Sequence, residues 1–356
     1  MLASLPVGVA LLSGCGSGAS APSRPRVAVS IFPLFDLARR VAGDRLDVVC
    51  VLPPGRSEHG FDPSPREVAA VSGARAGIVV GLEMDEWAER IVTGAASGTA
   101  PEMLRLGPTI DPRRLTAHEV GLELEEHHEG EEHHEGQEHH EGEGHESQEH
   151  HEGEAQEGEG HHEGAEEHEG QDEHEGEDEH EGEEHHHHGA FDPHFWLDPI
   201  RAQTAVDRMA ELFARLDPEG AAGYTERAQR VRGELDVLHR EIEGRARSWT
   251  RRTIVTFHGS FGYYAERYGL TIAAVIEPFP GREPTPRYIQ EVLGAIGAAH
   301  AAALFSEPQL DRHPAQVIAD SAHVPLFELD PIGTGATESY EALLRANTDV
   351  LARALA

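Results

Sequence analysis

Residues 26–55 read RVAVSIFPLFDLARRVAGDRLDVVCVLPPG, and the order of apolar runs within them decides the fold. Arg26–Ile31 is a compact apolar run of strand length. Pro33 then opens a stretch whose apolar positions, Phe35, Leu37, Ala38 and Val41, fall on one face of a helix. A second apolar run, Leu46–Leu52, ends at Pro53-Pro54-Gly55. The alternation then repeats. Pro65 starts a helix carrying Val68, Ala69 and Val71, a third run spans Ala76–Gly81, and a further helix runs from about Met84 to Val92. Strands separated by helices predict a parallel sheet with helices on its faces.

Working outward, ordered sequence resumes at Phe191. A helix follows Asp198-Pro199, and a long helical stretch from about Glu219 to Ser248 carries Val231, Leu235, Leu238 and Ile242 at helical spacing. The last third restores the alternation, with strands at Thr253–Phe257, Thr271–Ile276, Ala303–Ser306 and Pro325–Leu329. Helices are expected at Phe261–Tyr268, Arg287–His300, near Pro314–His323 and from Ser339 onward. The fold class is therefore α/β, with two parallel-sheet lobes joined by a long rigid helix. The expected division is an N-terminal lobe over 26–217, a linking helix over 218–249 and a C-terminal lobe over 250–356.

Between His118 and His188 the sequence changes to repeats of His-His-Glu-Gly and Glu-His-Glu-Gly. Thirty of the 65 acidic residues lie there without one Arg; without them the net charge of −36 falls to about −6, an ordinary globular balance. No basic stripe remains that would neutralise phosphates, so nucleic acid is not an expected partner. The repeats carry almost no apolar residues after Leu124 and read as a disordered surface insertion over 118–189. At the other end, residues 1–15 read as a signal peptide. Its ending, Leu12-Ser13-Gly14-Cys15, resembles the bacterial lipobox, so Cys15 is expected to carry lipid. The Gly/Ser/Pro stretch 16–25 would tether the domain to a membrane surface. The other cysteine, Cys50, reads as a buried small hydrophobe.

Nineteen of the 26 histidines lie in the acidic repeats, which makes that segment the obvious metal site. A selective site, however, needs fixed geometry and supporting hydrogen bonds, which a Gly-rich repeat does not supply. The solitary histidines are better placed. His59 follows the second strand, His258 directly follows Thr253–Phe257, and Asp330 directly follows Leu326–Leu329. In open α/β sheets, ligands bind beyond the carboxyl ends of strands. With His194, these residues offer three nitrogens and a carboxylate, a tetrahedral donor set suited to zinc, drawn from both halves of the chain and so from an interlobe cleft. His239, His300, His313 and His323 lie on or near helices away from strand ends and read as surface residues.

The segments PPGRSEHGFDPSP (53–65), DPHFWLDP (192–199), TFHGSFGYYAERYGL (256–270), FSEPQL (305–310) and ELDPIG (328–333) follow in one order and spacing. Together they resemble the metal-binding solute receptors of ABC importers. The resemblance implies His59, His194, His258 and Asp330 as ligands of a captured Zn2+ ion held between two lobes. It also implies delivery of the ion to a membrane permease driven by a cytoplasmic ATPase. His at position 258, where manganese receptors of the family typically have Glu, points to zinc. Glu58 is an alternative carboxylate for the coordination shell, and Glu307 is a candidate to hydrogen-bond a ligand imidazole. The protein is expected to be exported, lipid-anchored on the outer side of the cytoplasmic membrane or periplasmic, and monomeric. The competing readings are a manganese receptor of the same family, an extracellular zinc buffer or adhesin, and a secreted zinc hydrolase. The last is disfavoured because the sequence contains no HExxH helix.

Overall fold

The computed structural model describes residues 24–96, 98–120 and 190–356. The signal, the lipobox and most of the tether and of the acidic insertion fall outside these residues. Two four-stranded sheets, each wholly parallel, organise the described chain.

The first sheet is built from β1 (Arg26–Val29), β2 (Asp47–Cys50), β3 (Ala76–Val79) and β4 (Glu102–Arg105), in the order β2-β1-β3-β4. The intervening helices are α1 (Phe32–Ala42), α2 (Pro65–Ala70) and α3 (Glu86–Gly94). The central strands β1 and β3 are the apolar runs of the sequence, and β3 is buried along its whole length. Strand β4 has no such run. It reads Glu-Met-Leu-Arg with both ends exposed, pairs only with β3, and as an edge strand needs no continuous apolar sequence. Cys50, on the opposite edge strand, is half-buried.

A helical turn, α4 (Ala117–Val120), ends the described part of the first segment. After residue 190 come α5 (Pro199–Leu216) and α6 (Ala221–Ala246). The 26 residues of α6 extend about 39 Å at 1.5 Å per residue. Tyr224, Ala228, Val231, Leu235, Leu238, Ile242 and Ala246 form its buried stripe. The second sheet, in the order β6-β5-β7-β8, contains β5 (Thr253–Thr256), β6 (Thr271–Val275), β7 (Ala303–Ser306) and β8 (Leu326–Glu328). Its helices are α7 (Gly262–Tyr268), α8 (Pro286–Ala299), α9 (His313–Ala322) and the closing α10 (Tyr340–Leu355).

The closing helix does more than finish the second sheet. It packs back on α6 and α1, so Tyr340, Leu344 and Leu351 join one core with Leu34 and Val41 of the first half. Asp36, fully buried on α1, accepts from the Tyr340 backbone N–H at 3.1 Å, one of the unpaired amides at the start of α10. A smaller second core, including Phe257, Val292 and Ile318, lies among β5, α8 and α9. The two sheets are thus joined by a broad apolar seam as well as by α6, which restrains their relative motion.

One turn is held in a strained form by a single side chain. Gly81, Leu82 and Glu83 all have positive φ (77°, 54° and 65°), a region that ordinary residues rarely occupy. The buried Asp85 carboxylate spans this turn, accepting from the backbone N–H groups of Val80 (2.7 Å) and Gly81 (2.8 Å). Asp85→Ala would leave both donors without their acceptor, so it is expected to destabilise the protein by about 2–4 kcal/mol, read as the shift of a urea midpoint. An unchanged midpoint would mean that the turn does not depend on this carboxylate.

Candidate metal centre

Three loops at the carboxyl ends of strands, together with the segment that precedes α5, build the site. After β2 the chain turns through Pro53–Asp62. The indole N–H of Trp87, on α3, donates to the Glu58 carbonyl at 2.9 Å, and Phe61 packs edge-on against the same indole at 4.9 Å. Ser57 accepts from the His59 backbone N–H at 3.2 Å. These contacts fix two adjacent side chains, Glu58 and His59, over the sheet.

His194 comes from the segment preceding α5. Asp192 Oδ1 accepts from both the backbone N–H and the Nδ1 of His194, each at 2.9 Å, a compact loop made possible by the two-residue spacing. A carboxylate only accepts, so it keeps the hydrogen on Nδ1 and leaves the Nε2 lone pair facing outward. Asp198 then caps α5 by accepting from Ile200 N–H (2.9 Å), and Arg267 of α7 donates to it through Nε (2.9 Å) and Nη2 (2.6 Å). The loop is therefore gripped from the second half of the chain.

His258 lies two residues past the end of β5, where the second sheet reverses its strand order. Its Nδ1 lies 2.7 Å from Oε1 of Glu307, which follows the neighbouring strand β7, and Ser260 Oγ donates to the same oxygen at 3.0 Å. His258 and Glu307 thus straddle the switch point where open α/β sheets bind ligands.

These elements bring Glu58, His59, His194 and His258 together, with one potential ligand atom of each within 4.8 Å of all the others. The Nε2 atoms of His194 and His258 are 3.2 Å apart, and Glu58 Oε1 is 3.7 Å from His59 Nε2 and 3.9 Å from His194 Nε2. A tetrahedral zinc ion with bonds of about 2.0–2.1 Å spaces its ligand atoms about 3.3–3.4 Å apart. A small closure of the four side chains reaches that spacing. Glu58, His194 and His258 are buried and His59 is half-buried. Glu58 Oε1, fully enclosed, receives no hydrogen bond among the described residues, which is costly for a carboxylate oxygen unless a cation meets it.

The electrostatics fit a site that awaits a cation. Burial pushes the Glu58 carboxyl up to about 7; attraction from His258 opposes this, while Glu307 and Asp330 add to it. Burial alone would lower the His258 imidazole, but Glu307, Glu58 and Asp192 outweigh burial and raise it above its ordinary value. Asp192 is pushed up to about 6 by burial against the pull of Arg113.

Of the residues expected from the sequence, His59, His194 and His258 meet, and Glu58 meets them. Asp330 does not belong to that group. Its Oδ1 accepts from Gln309 Nε2 (2.7 Å) and from the backbone N–H groups of Ile332 (3.2 Å) and Gly333 (2.8 Å), organising its own loop. His300 and His323 are exposed and end α8 and α9 in left-handed conformation, and His313 is exposed. His239 is half-buried beside Tyr268. Sequence reasoning missed the part played by Asp192; its signal was an Asp two residues before a candidate ligand.

A sequence profile of the family described as zinc-uptake complex component A, periplasmic, matches residues 27–354. The chain belongs to that family. Among its relatives, the high-affinity zinc uptake system protein ZnuA of Brucella abortus is 30% identical over 145 residues, covering 41% of this chain and 43% of that protein. The aligned part is thus less than half of that relative's length. The zinc-binding protein AdcA of Streptococcus pyogenes is 23% identical over 338 residues, 93% of this chain and 56% of that protein. A crystal structure of ZnuA superposes with a TM-score of 0.67 at 19% identity, covering 94% of this chain and all of that one. At that identity the likeness is one of fold, and it extends to the two-lobe α/β architecture.

Proposed function

We propose that this protein captures Zn2+ outside the cytoplasm at Glu58, His59, His194 and His258 and delivers it to an ABC importer. The partners are a membrane permease and its cytoplasmic ATPase, and lipid on Cys15 holds the receptor at the membrane. The observation that carries the reading is the convergence of these four side chains beyond the strand ends. Three imidazoles favour zinc over the harder manganese ion. Glu58, rather than Asp330, completes the shell, because among the described residues its buried oxygen has no donor whereas Asp330 Oδ1 accepts from three. A carboxylate in the fourth position leaves no open place for a catalytic water, which separates a receptor from a zinc hydrolase. The acidic histidine repeats bind metal weakly and in exchange, as an accessory to this site.

The test is deletion of residues 124–189. The shortened protein is expected to bind one zinc ion with submicromolar affinity, close to that of the full chain, in competition titration against a chromophoric chelator. Absence of any submicromolar site in the deletion variant would move the selective site to the repeats and overturn the assignment.

A further inference from the structure

We infer that Arg113, clamped by Glu119, is a positioning residue for the metal site that acts through Asp192 on His194. The inference rests on the zinc reading above, in which His194 Nε2 is a ligand atom. Asp192 has no exposure to solvent, and its two oxygens are used differently. Oδ1 holds His194, and Oδ2 accepts from Arg113 Nη1 at 2.6 Å. The guanidinium is itself fixed. Nη1 donates to Glu119 Oε1 at 2.8 Å and Nη2 to Glu119 Oε2 at 2.9 Å, the paired geometry that only arginine provides. Glu119 in turn accepts from Thr116 N–H (2.8 Å) and Oγ1–H (2.9 Å). The Arg113 backbone N–H donates to the Tyr263 hydroxyl at 3.0 Å, and that hydroxyl donates to the Asp192 carbonyl at 3.1 Å. The Glu266 carboxylate, on the same helix as Tyr263, lies 3.5 Å from Arg113 Nε.

A Cβ on Gly262 would lie 1.8 Å from Arg113 Nη1 and 2.6 Å from Asp192 Oδ2. The guanidinium and carboxylate occupy the space a side chain at 262 would fill. Gly262 opens α7, four residues after His258, so the relay from Glu119 to His194 docks against the half of the chain that supplies the His258 imidazole. Glycine at a helical position costs stability relative to alanine, and this contact is a reason for its presence. Partners beyond the directly coordinating residues commonly change metal affinity by about 10–100-fold. Arg113 stands one step further out, but its loss would leave two buried carboxylates facing each other, so Asp192 would not keep its place under the imidazole.

The experiment compares the full-length protein with Arg113→Gln, Arg113→Lys and Gly262→Ala, each alone and with His194→Ala. Zinc affinity is read by chelator competition. The tautomer of His194 in metal-free protein is read from its imidazole nitrogen-15 shifts. Arg113→Gln and Gly262→Ala are expected to weaken zinc binding about tenfold or more at unchanged stoichiometry and to shift His194 from the Nδ1–H form. Arg113→Lys recovers part of the loss. In the His194→Ala background the same changes add less than about twofold, because the relay acts only through that ring. Unaltered affinity and tautomer, or an equal loss in both backgrounds, would overturn the positioning role. If the parent protein shows no tight zinc site, the zinc reading fails, and the His194 tautomer still decides whether the relay holds the ring.

Discussion

Replacing His258 with alanine is expected to weaken zinc binding by about two to three orders of magnitude and to remove most of the rise in unfolding temperature that zinc gives the parent. A structural zinc site with four protein donors has an apparent binding free energy of about 10–16 kcal/mol, so one donor's share is about 3–4 kcal/mol. His258 has a further role in the free protein. Its Nδ1 faces Glu307 at 2.7 Å, and without the ring that buried carboxylate keeps only the Ser260 hydroxyl. Zinc at a thousandfold excess over its dissociation constant adds about 4 kcal/mol of stability, so melting curves in zinc and in chelator separate the two effects. The metal-free variant melts somewhat below the parent, and zinc at that same concentration adds only about 0.4–1.4 kcal/mol to its stability. Two companion substitutions resolve the carboxylate. Glu58→Gln is expected to cost about a hundredfold in affinity, since a neutral amide replaces the charged donor. Asp330→Asn, which changes a loop acceptor, should stay within about threefold of the parent. A reversal of that order would restore Asp330 to the shell, and an unaltered His258→Ala affinity would remove His258 from it.

The sequence carries the site unevenly, for physical reasons. Central strands such as β1, β3 and β7 are buried on both faces and show as apolar runs; β4 sits at an edge and shows almost nothing. His59 and His258 were legible because each follows a strand whose carboxyl end is where a parallel sheet binds ligands. His194 follows no strand, and its place became legible through the family resemblance carried by its segment. The fourth donor is different again. Glu58 and Asp330 both follow strands in adjacent loops of the same cleft, and only the turn each loop makes separates them. The Trp87 indole fixes one turn, and three donors to Asp330 fix the other. Arg113 and Asp192 stand 79 positions apart with the acidic repeats between them, a separation no periodicity reveals.

The largest stability effect at the site is expected from Trp196, which ties the ligand loop to the other half of the chain. Its side chain is fully buried two residues after His194, with the two rings 5.2 Å apart. The indole N–H donates to the Pro331 carbonyl at 2.7 Å, next to Asp330, while the Trp196 carbonyl accepts from the Tyr340 hydroxyl at 2.5 Å. One residue thus bonds both to the segment that follows β8 and to the first residue of α10. Trp196→Ala removes the ring and the donor together and is expected to cost about 3–5 kcal/mol, the usual range for a buried aromatic truncated to alanine. Trp196→Phe keeps most of the volume and orphans only the buried Pro331 carbonyl, at about 1–3 kcal/mol. Denaturant midpoints measured in chelator give both numbers free of metal linkage. Zinc titration then asks how far the anchor reaches. The Phe variant should bind within about tenfold of the parent, because Asp192 still holds the His194 ring at 2.9 Å. The Ala variant should lose more, since the loop behind His194 no longer rests on the second half. If the Phe variant unfolds with the parent, the indole hydrogen bond contributes nothing net to the seam between the two halves.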